Sequence, residues 1–313
     1  RLKEKSPNLV LPEAIRTSTK TGRGINDLRH VIFEQAKKLP TLNVPLPRSF
    51  LAVKDELERM KSDEKVKTIE EADYRRVCQA NGVDEEERQN TLLQLLHDMG
   101  VVFHYEDPRL NHFAIFNPNW ATGAVYKVIT SLQVNDSHGR FSLEGLKEIL
   151  KDEDLYPASM HPRIVDLMQF FELIYELHGK RDHYILPSSL NKEQPILKEW
   201  DVPAMKFEYH YKPALLISVL HRFIVARHDY VDERFLWYSG VALNYKDNRV
   251  LIQADTRAKC IIIKIIGEEK TRKELLYAIR MEFDRIHGEN KPEENIYPPE
   301  YPNLRLNFSH MKT

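Results

Sequence analysis

The chain of 313 residues is long enough to form two or three domains with hydrophobic cores of their own. Its hydrophobic content of 42% and charged content of 30% are ordinary for a globular protein, and its formal net charge of −1 provides no general attraction for nucleic acid or an anionic membrane. The two cysteines, Cys78 and Cys260, form no metal-binding spacing and favour a reducing, cytoplasmic compartment. No apolar run is long enough to span a bilayer.

Residues 1–40 predict one strand followed by one helix. The segment Leu9–Thr17 has strand character, and the apolar residues Ile25, Leu28 and Ile32 then recur at helical spacing until a proline ends the helix. A short proline-flanked linker separates this helix from the rest of the chain.

Residues 47–190 are predicted to be mainly helical. Capping boxes that begin at Thr68 and at Asp84 predict two helix starts. The helix predicted over 161–177 is apolar on nearly every side, so we expect it to be buried between neighbouring elements. A helix followed by a two-stranded hairpin occurs twice in this part. That order is typical of a winged-helix unit.

The stretch Met99–Ile129 carries the most specific pattern of the chain. Gly100 is placed to end a helix in a left-handed conformation, and a short hairpin is predicted after it. Asn117 then predicts a helix N-cap, and Pro118 the first helical residue.

The pattern changes after residues 191–203, which lack periodicity and contain two prolines. Met205–Tyr211 alternates as a strand, Pro213 begins a predicted helix, and Cys260–Ile266 is apolar on both faces, as a central strand would be. Three more strands are predicted between them: Arg234–Ser239, Val241–Tyr245 and Arg249–Ala254. A capping box at Thr271 starts the last helix. This order predicts an antiparallel sheet with helices on one face, and an α+β fold for the whole chain.

The segment from Gly100 to Leu190 resembles the COR region of Roco proteins, the multidomain GTPases that include the leucine-rich-repeat kinases. The run Tyr184–Leu190 resembles the strand that closes the first half of COR. Upstream, Ser18-Thr19-Lys20 resembles the last nucleotide motif of a Ras-like domain, although Thr19 stands where alanine is usual.

The resemblance implies three parts: residues 1–40 as the C-terminal strand and helix of a Roc G domain, 47–190 as a helical, winged-helix-like COR-A subdomain, and 204–313 as a mixed α/β COR-B subdomain. It also implies a role, since COR is the dimerisation device of this family and is coupled to the GTP cycle of Roc. We therefore expect a homodimer, with an intramolecular Roc domain as a second partner.

No GxxxxGK[ST] phosphate-binding loop occurs in the chain. We therefore expect the fragment to be no enzyme and to need no cofactor, while GTP or GDP with Mg would belong to the parent protein by resemblance. The loop Ser18-Thr19-Lys20 could contact only a guanine base, and the alternative is that it forms a polar strand-to-helix turn.

Two apolar sets are candidate contact sites. The first set would contact the Roc domain or belong to the core of the helical half: Phe113, Ile115 and Trp120. The candidates for the dimer interface widen the apolar surface of the C-terminal half beyond one face: Ile217, Ile224, Val225, Trp237 and Tyr238. The helical half or the proline-rich tail is the alternative cover.

The alternative function is a winged-helix nucleic-acid-binding regulator, and an enzyme with an unrecognised site is a weaker one. The helix that would enter a groove starts with Glu85, Glu86 and Glu87, whose charge phosphates repel. Three histidines match no zinc pattern, so we predict no metal site: His97, His104 and His112.

Overall fold

The computed structural model describes residues 15–38, 45–63, 66–110, 112–298, 301 and 304–308. The predicted strand Leu9–Thr17 lies mostly outside these residues, and its last three residues form no strand.

Helices and strands alternate unevenly along the chain. The helices are α1 (Ile25–Ala36), α2 (Arg48–Ser62), α3 (Glu71–Ala80), α4 (Glu86–Asp98), α5 (Pro118–Ile129), α6 (Leu132–Asp136), α7 (Leu146–Ile149), α8 (His161–Phe170), α9 (Ser218–Ala226) and α10 (Glu269–His287). The strands are β1 (Thr68–Glu70), β2 (Phe113–Ile115), β3 (Arg140–Ser142), β4 (Tyr175–Glu176), β5 (His183–Ile185), β6 (Met205–His210), β7 (Val231–Trp237), β8 (Gly240–Tyr245), β9 (Asn248–Asp255), β10 (Cys260–Gly267), β11 (Glu293–Tyr297) and β12 (Leu306–Asn307).

The first half is mainly helical, as predicted, and has two adjoining cores. One core packs α2, α3 and α4 around Leu57, Tyr74 and Leu96. The other packs α5 and α8 around Trp120 and Met168, next to a three-stranded antiparallel sheet in the order β3-β5-β4.

Several local predictions for this half are wrong. The predicted hairpin is reduced to one bridge between Phe103 and Ile115, because β2 pairs with the distant β1. Thr68 lies in β1 and caps no helix, and Asp84 precedes α4 without a side-chain cap. Asn117 does cap α5: its Oδ1 accepts a hydrogen bond from the backbone N–H of Asn119 at 3.0 Å.

The second half is a seven-stranded antiparallel sheet in the order β12-β11-β6-β10-β9-β8-β7. The strand β10 is central, as its double-faced apolar pattern predicts. Alternate residues Ile261, Ile263 and Ile265 are fully buried in the core that α9 and α10 cover. The prediction of an α+β fold, with a helical part before an antiparallel sheet, is confirmed.

Two helix starts in this half differ from the sequence prediction. The helix α9 begins at Ser218 rather than at Pro213. The helix α10 begins at Glu269, so Thr271 lies inside its first turn and does not cap it. Two strands were not predicted: β11 and, in the proline-rich tail, β12. They pair in the order β12-β11-β6, so the edge of β6 is covered.

Candidate functional site

The loop Ser18-Thr19-Lys20 is a closed turn before α1. The backbone N–H of Gly22 donates to the carbonyl of Ser18 at 2.9 Å, and Thr19 and Lys20 are exposed. Gly24 has a φ of +72°, and a Cβ there would lie 2.2 Å from the carbonyl oxygen of Arg16, so only glycine fits this approach.

The three candidates for contact with Roc are core residues. Phe113, Ile115 and Trp120 are buried, and the Trp120 indole N–H donates to the carbonyl of Leu155 at 2.7 Å. The Arg163 guanidinium lies over the Phe113 ring, 4.9 Å from its centre. These buried side chains offer little surface to a partner, and of the three only Ile115 lines the groove described next.

An apolar groove of about 530 Å³ lies on the outer side of α5. Tyr126 on its rim is 68% exposed. Its lining spans α5, the segment before β2 and the end of α8: Phe103, Tyr105, Ile115, Pro118, Ala121, Thr122, Val125, Tyr126, Ile129, Leu167, Phe171 and Leu173. None of the described residues that line the groove is charged, so the groove suits apolar groups.

The groove was not predicted, although the sequence carries a signal for it. The helix α5 is apolar on two sides, because Trp120, Ala124 and Val128 face the core while another series faces outwards at the same helical spacing. That outer series is Pro118, Ala121, Thr122, Val125, Tyr126 and Ile129.

The groove ends at a tight turn after α8, where the sequence predicted that the helix would continue. Phe171 is the C-cap, and the backbone N–H groups of Glu172 and Leu173 donate to the carbonyls of Gln169 and Met168 at 3.0 and 2.9 Å. These two bonds form a Schellman motif. Glu172 has a φ of +55°, the left-handed conformation in which glycine is usual.

The carboxylate of Glu172 connects the two halves of the chain. One oxygen accepts from Arg222 Nε of α9 at 2.6 Å, and the other pairs with Arg285 of α10 at 2.5 Å. Arg285 also pairs with Glu282 at 2.7 Å, and Glu282 in turn pairs with Arg227 at 2.8 Å. A continuous network of ion pairs therefore lies across the junction.

Further contacts fix the same junction. The rings of Tyr175 and His228 stack with centres 5.0 Å apart, and Arg140 pairs with Glu233 at 3.0 Å. The predicted linker 191–203 is packed as well, since Trp200 is only 2% exposed. Its side chain packs with Phe235 and Trp237 on the second face of the sheet, the face that α9 and α10 do not cover.

The candidates for the dimer interface lie mostly inside the molecule. Ile224 and Trp237 are fully buried and Val225 nearly so, while Ile217 and Tyr238 are half-buried against the main core. Exposed apolar side chains in this half include Leu216, which is 69% exposed and precedes α9. On the outer side of α10, Tyr277 is 62% exposed and Met281 is 56% exposed.

Burial lowers the pKa of two histidines of the second half. It lowers the pKa of His287 to about 4, although Asp284 opposes that shift, and it lowers the pKa of His221, whose hydrogen bond with the Tyr238 carbonyl acts in the opposite direction. In the first half, burial lowers the pKa of His104, whose backbone N–H donates to His97 Nδ1 at 3.2 Å.

Within the part of the chain that the structure describes, no group of three His, Cys, Asp or Glu side chains could hold a metal ion. Of the described helices, none combines the length and apolar character needed to cross a membrane.

Comparison with known proteins matches both halves of the chain to one family. Residues 47–190 match the family model "C-terminal of Roc, COR-A domain", and residues 202–303 match "C-terminal of Roc, COR-B domain". A solved structure of Methanosarcina barkeri Roco2 RocCORdC bound to GDP is 27% identical over 60% of this chain and 61% of that chain, with a TM-score of 0.48.

Two curated relatives are longer proteins. A Roc-COR-CHAT protease from an unknown prokaryotic organism is 25% identical over 70% of this chain, which spans 20% of that protein. The probable serine/threonine-protein kinase pats1 of Dictyostelium discoideum is 20% identical over 80% of this chain, which spans 8% of that protein. The resemblance found in the sequence is thus confirmed, and the chain belongs to the Roco family, of which it contains the COR-A and COR-B domains.

Proposed function

We propose that this chain is a non-catalytic assembly module of a Roco GTPase. It joins two copies of the protein through COR-B and couples that self-association to the GTP cycle of an adjacent Roc domain. The module itself needs no nucleotide, and GTP or GDP with Mg is bound by Roc. Residues 1–40 are the last part of Roc in this proposal.

The observation that carries the proposal is the uncovered apolar side of α1. This helix buries none of its residues, and Ile32 and Phe33 are each 59% exposed beside Leu28. A helix of three turns gains most of its stability from packing an apolar side against other elements. The apolar side of α1 therefore requires a neighbouring body, and a Roc domain of which α1 is the last helix supplies one.

The outer side of α10 is the surface that we assign to the second copy. Tyr277 and Met281 are one helical turn apart and project together from COR-B, while the inner side of the same helix, at Leu276 and Phe283, is buried in the core. A symmetric dimer would pack this pair against its own equivalent. Tyr and Met are both enriched in protein interfaces.

Multi-angle light scattering tests the assignment. At about 50 µM we expect a mass near twice 36.9 kDa for the chain and a monomer for the Tyr277→Glu/Met281→Glu variant, because each carboxylate would have to be desolvated at the interface. The matched control, Tyr126→Glu/Leu132→Glu, changes two exposed apolar residues of COR-A and should remain a dimer. A monomeric wild type would refute dimerisation, and a monomeric control alone would move the interface to COR-A.

The nucleic-acid-binding alternative has less support. The sheet β3-β5-β4 beside α8 is compatible with a winged-helix arrangement, but α8 buries half of its residues against the protein, and α4 presents Glu86 and Glu87 at its start. Neither helix offers the basic exposed face that phosphates attract.

A further inference from the structure

A cavity of about 200 Å³ lies inside COR-B, apart from the groove of COR-A. It opens between the C-terminal end of α9, the first three turns of α10 and the end of β8 with the turn that follows it. Its floor is apolar and buried: Phe223, Leu243, Leu275 and Ile279. Drug-sized ligand pockets measure about 300–1,000 Å³, so this cavity suits a smaller molecule with an apolar part.

Charged side chains of both signs line the cavity. Lys246 and Glu274 are exposed at its opening, and neither forms an ion pair with any residue that the structure describes, so they do not neutralise each other. Arg227 is a second cation of the lining. It pairs with Glu282 at 2.8 Å, and its guanidinium has further N–H donors. A bound molecule can therefore meet a cation and an anion in the same cavity.

The backbone at Lys246 is unusual for a lysine. This residue is the first of the two-residue turn that joins β8 to β9, and its φ is +51°, where glycine, asparagine or aspartate is usual. Residues held in such a conformation cluster at functional sites. The ammonium lies 5.4 Å from the centre of the Tyr245 ring, which lines the same cavity, so the charge is held beside the opening.

The walls of the cavity are fixed to each other and carry hydroxyl groups. The Asn248 side chain, which is 1% exposed, donates from Nδ2 to Thr271 Oγ1 at 2.6 Å and so joins the β8–β9 turn to α10. The rings of Tyr230 and Tyr245 meet edge to face, with their centres 5.3 Å apart. Among the described residues, neither tyrosine hydroxyl finds a hydrogen-bond partner, so both can bind a ligand.

We propose that this cavity binds a free α-amino acid with an apolar side chain. Lys246 and Arg227 hold its carboxylate, Glu274 holds its ammonium, and the apolar floor takes its side chain. A plain carboxylic acid would leave Glu274 without a partner, and a plain amine would leave Lys246 without one. The site needs neither dimerisation nor a Roc domain, so it is independent of the proposed function.

Ligand-detected NMR tests the site in the full chain of 313 residues. L-leucine and L-phenylalanine should bind saturably with a Kd below about 1 mM, the scale for a small ligand that makes a few polar contacts and buries one side chain. Phenylpropionate lacks the ammonium, and phenethylamine lacks the carboxylate. Each should bind at least about tenfold more weakly than phenylalanine, because one charge of the site then loses its partner.

Two variants assign the charges to their residues. Lys246→Asn suits the left-handed turn and removes the cation, so it should weaken the binding of phenylalanine at least about tenfold. Glu274→Gln keeps the side-chain length and should weaken the binding of phenylalanine to a similar extent, without weakening that of phenylpropionate. The matched control, Lys273→Gln, removes an exposed charge that is next to Glu274 in sequence and outside the cavity, and it should change the binding of neither ligand.

Three results would overturn the proposal. One is the absence of saturable binding by both amino acids at about 10 mM. Another is equal affinity for phenylalanine and phenylpropionate, which would identify a site for carboxylates in general. The third is unchanged binding in both Lys246→Asn and Glu274→Gln, which would place the ligand elsewhere on the chain. Light scattering measures dimerisation separately, so a failure of the proposed function would not be mistaken for a failure of this site.

Discussion

At the end of α10, His287 is enclosed by aromatic rings and has one polar partner among the residues that the structure describes. Its Nε2 lies 2.8 Å from the hydroxyl of Tyr211, while the rings of Tyr209 and Phe283 pack against it. Within the described part of the chain, the other ring nitrogen, Nδ1, has no hydrogen-bond partner. A positive charge on this ring would be poorly solvated, which is why burial lowers its pKa to about 4.

This environment predicts a loss of stability in mild acid. His287 binds a proton with an ordinary histidine pKa of 6.5 in the unfolded chain, but only with a pKa near 4 in the folded chain. The free energy of unfolding is therefore highest above pH 6.5 and falls as the pH is lowered from 6.5 to 4. Between pH 7 and pH 5 the free energy of unfolding should fall by at most about 2 kcal/mol. Urea midpoints at pH 7 and pH 5 measure it.

The control is His287→Gln, which keeps a polar group near Tyr211 and cannot be protonated in this range. Its stability should depend less on pH than that of the wild type. Part of the slope should remain, because burial lowers the pKa of His221 in the same direction. Equal slopes for both proteins would refute the assignment to His287.

Among the helices and strands, α5 shows how one element can serve the core and the surface together. Its start is fixed locally by Asn117 and Pro118, and both were identified from the sequence. The three predicted capping boxes failed, because the pattern of Thr or Asp followed three residues later by Glu also occurs in the strand β1 and within or before helices that start elsewhere.

Removing the cap should weaken α5 measurably. The variant Asn117→Ala loses the acceptor for the backbone N–H of Asn119, and we expect a loss of about 1 kcal/mol in the free energy of unfolding. The variant Asn119→Ala, one step into the helix and exposed, keeps that N–H and should change stability little. A comparison of thermal unfolding would contradict this prediction if the two variants lost equal stability.

Across the molecule as a whole, the two halves are joined more firmly than their sequence boundary indicates. The segment 191–203 has the composition of a linker, but the backbone N–H of Tyr238 donates to the carbonyl of Asn191 at 2.7 Å, and Trp200 fills the second face of the sheet. The guanidinium of Arg249 lies over the Trp200 ring, 4.6 Å from its centre. The segment is therefore part of the fold of COR-B.

We expect Trp200→Ala to cost about 3–5 kcal/mol, because it leaves a large cavity in a small core. Limited proteolysis should then cut first within 191–203, whereas the wild type should resist cleavage there. The control Val202→Ala changes an exposed apolar side chain of the same segment and should leave both properties unchanged. Early cleavage of the wild type within 191–203 would contradict this packing.

Local patterns in the sequence were sufficient to predict four features of this protein. Periodicity predicted the fold class, and a strand that is apolar on both faces predicted the central position of β10. Cap chemistry predicted the start of α5, and motifs predicted the family. Which apolar residues are covered depends instead on the assembled fold, which buries Trp120, Ile224 and Trp237 and leaves Tyr126 and Tyr277 exposed. Periodicity shows that a helix or strand is apolar on a given side, but only the packing of distant segments shows whether that side meets another element. The pairing of Glu172 with two arginines of the other half was likewise decided only by the tertiary structure, since the residues are remote in sequence and folding brings their charges together.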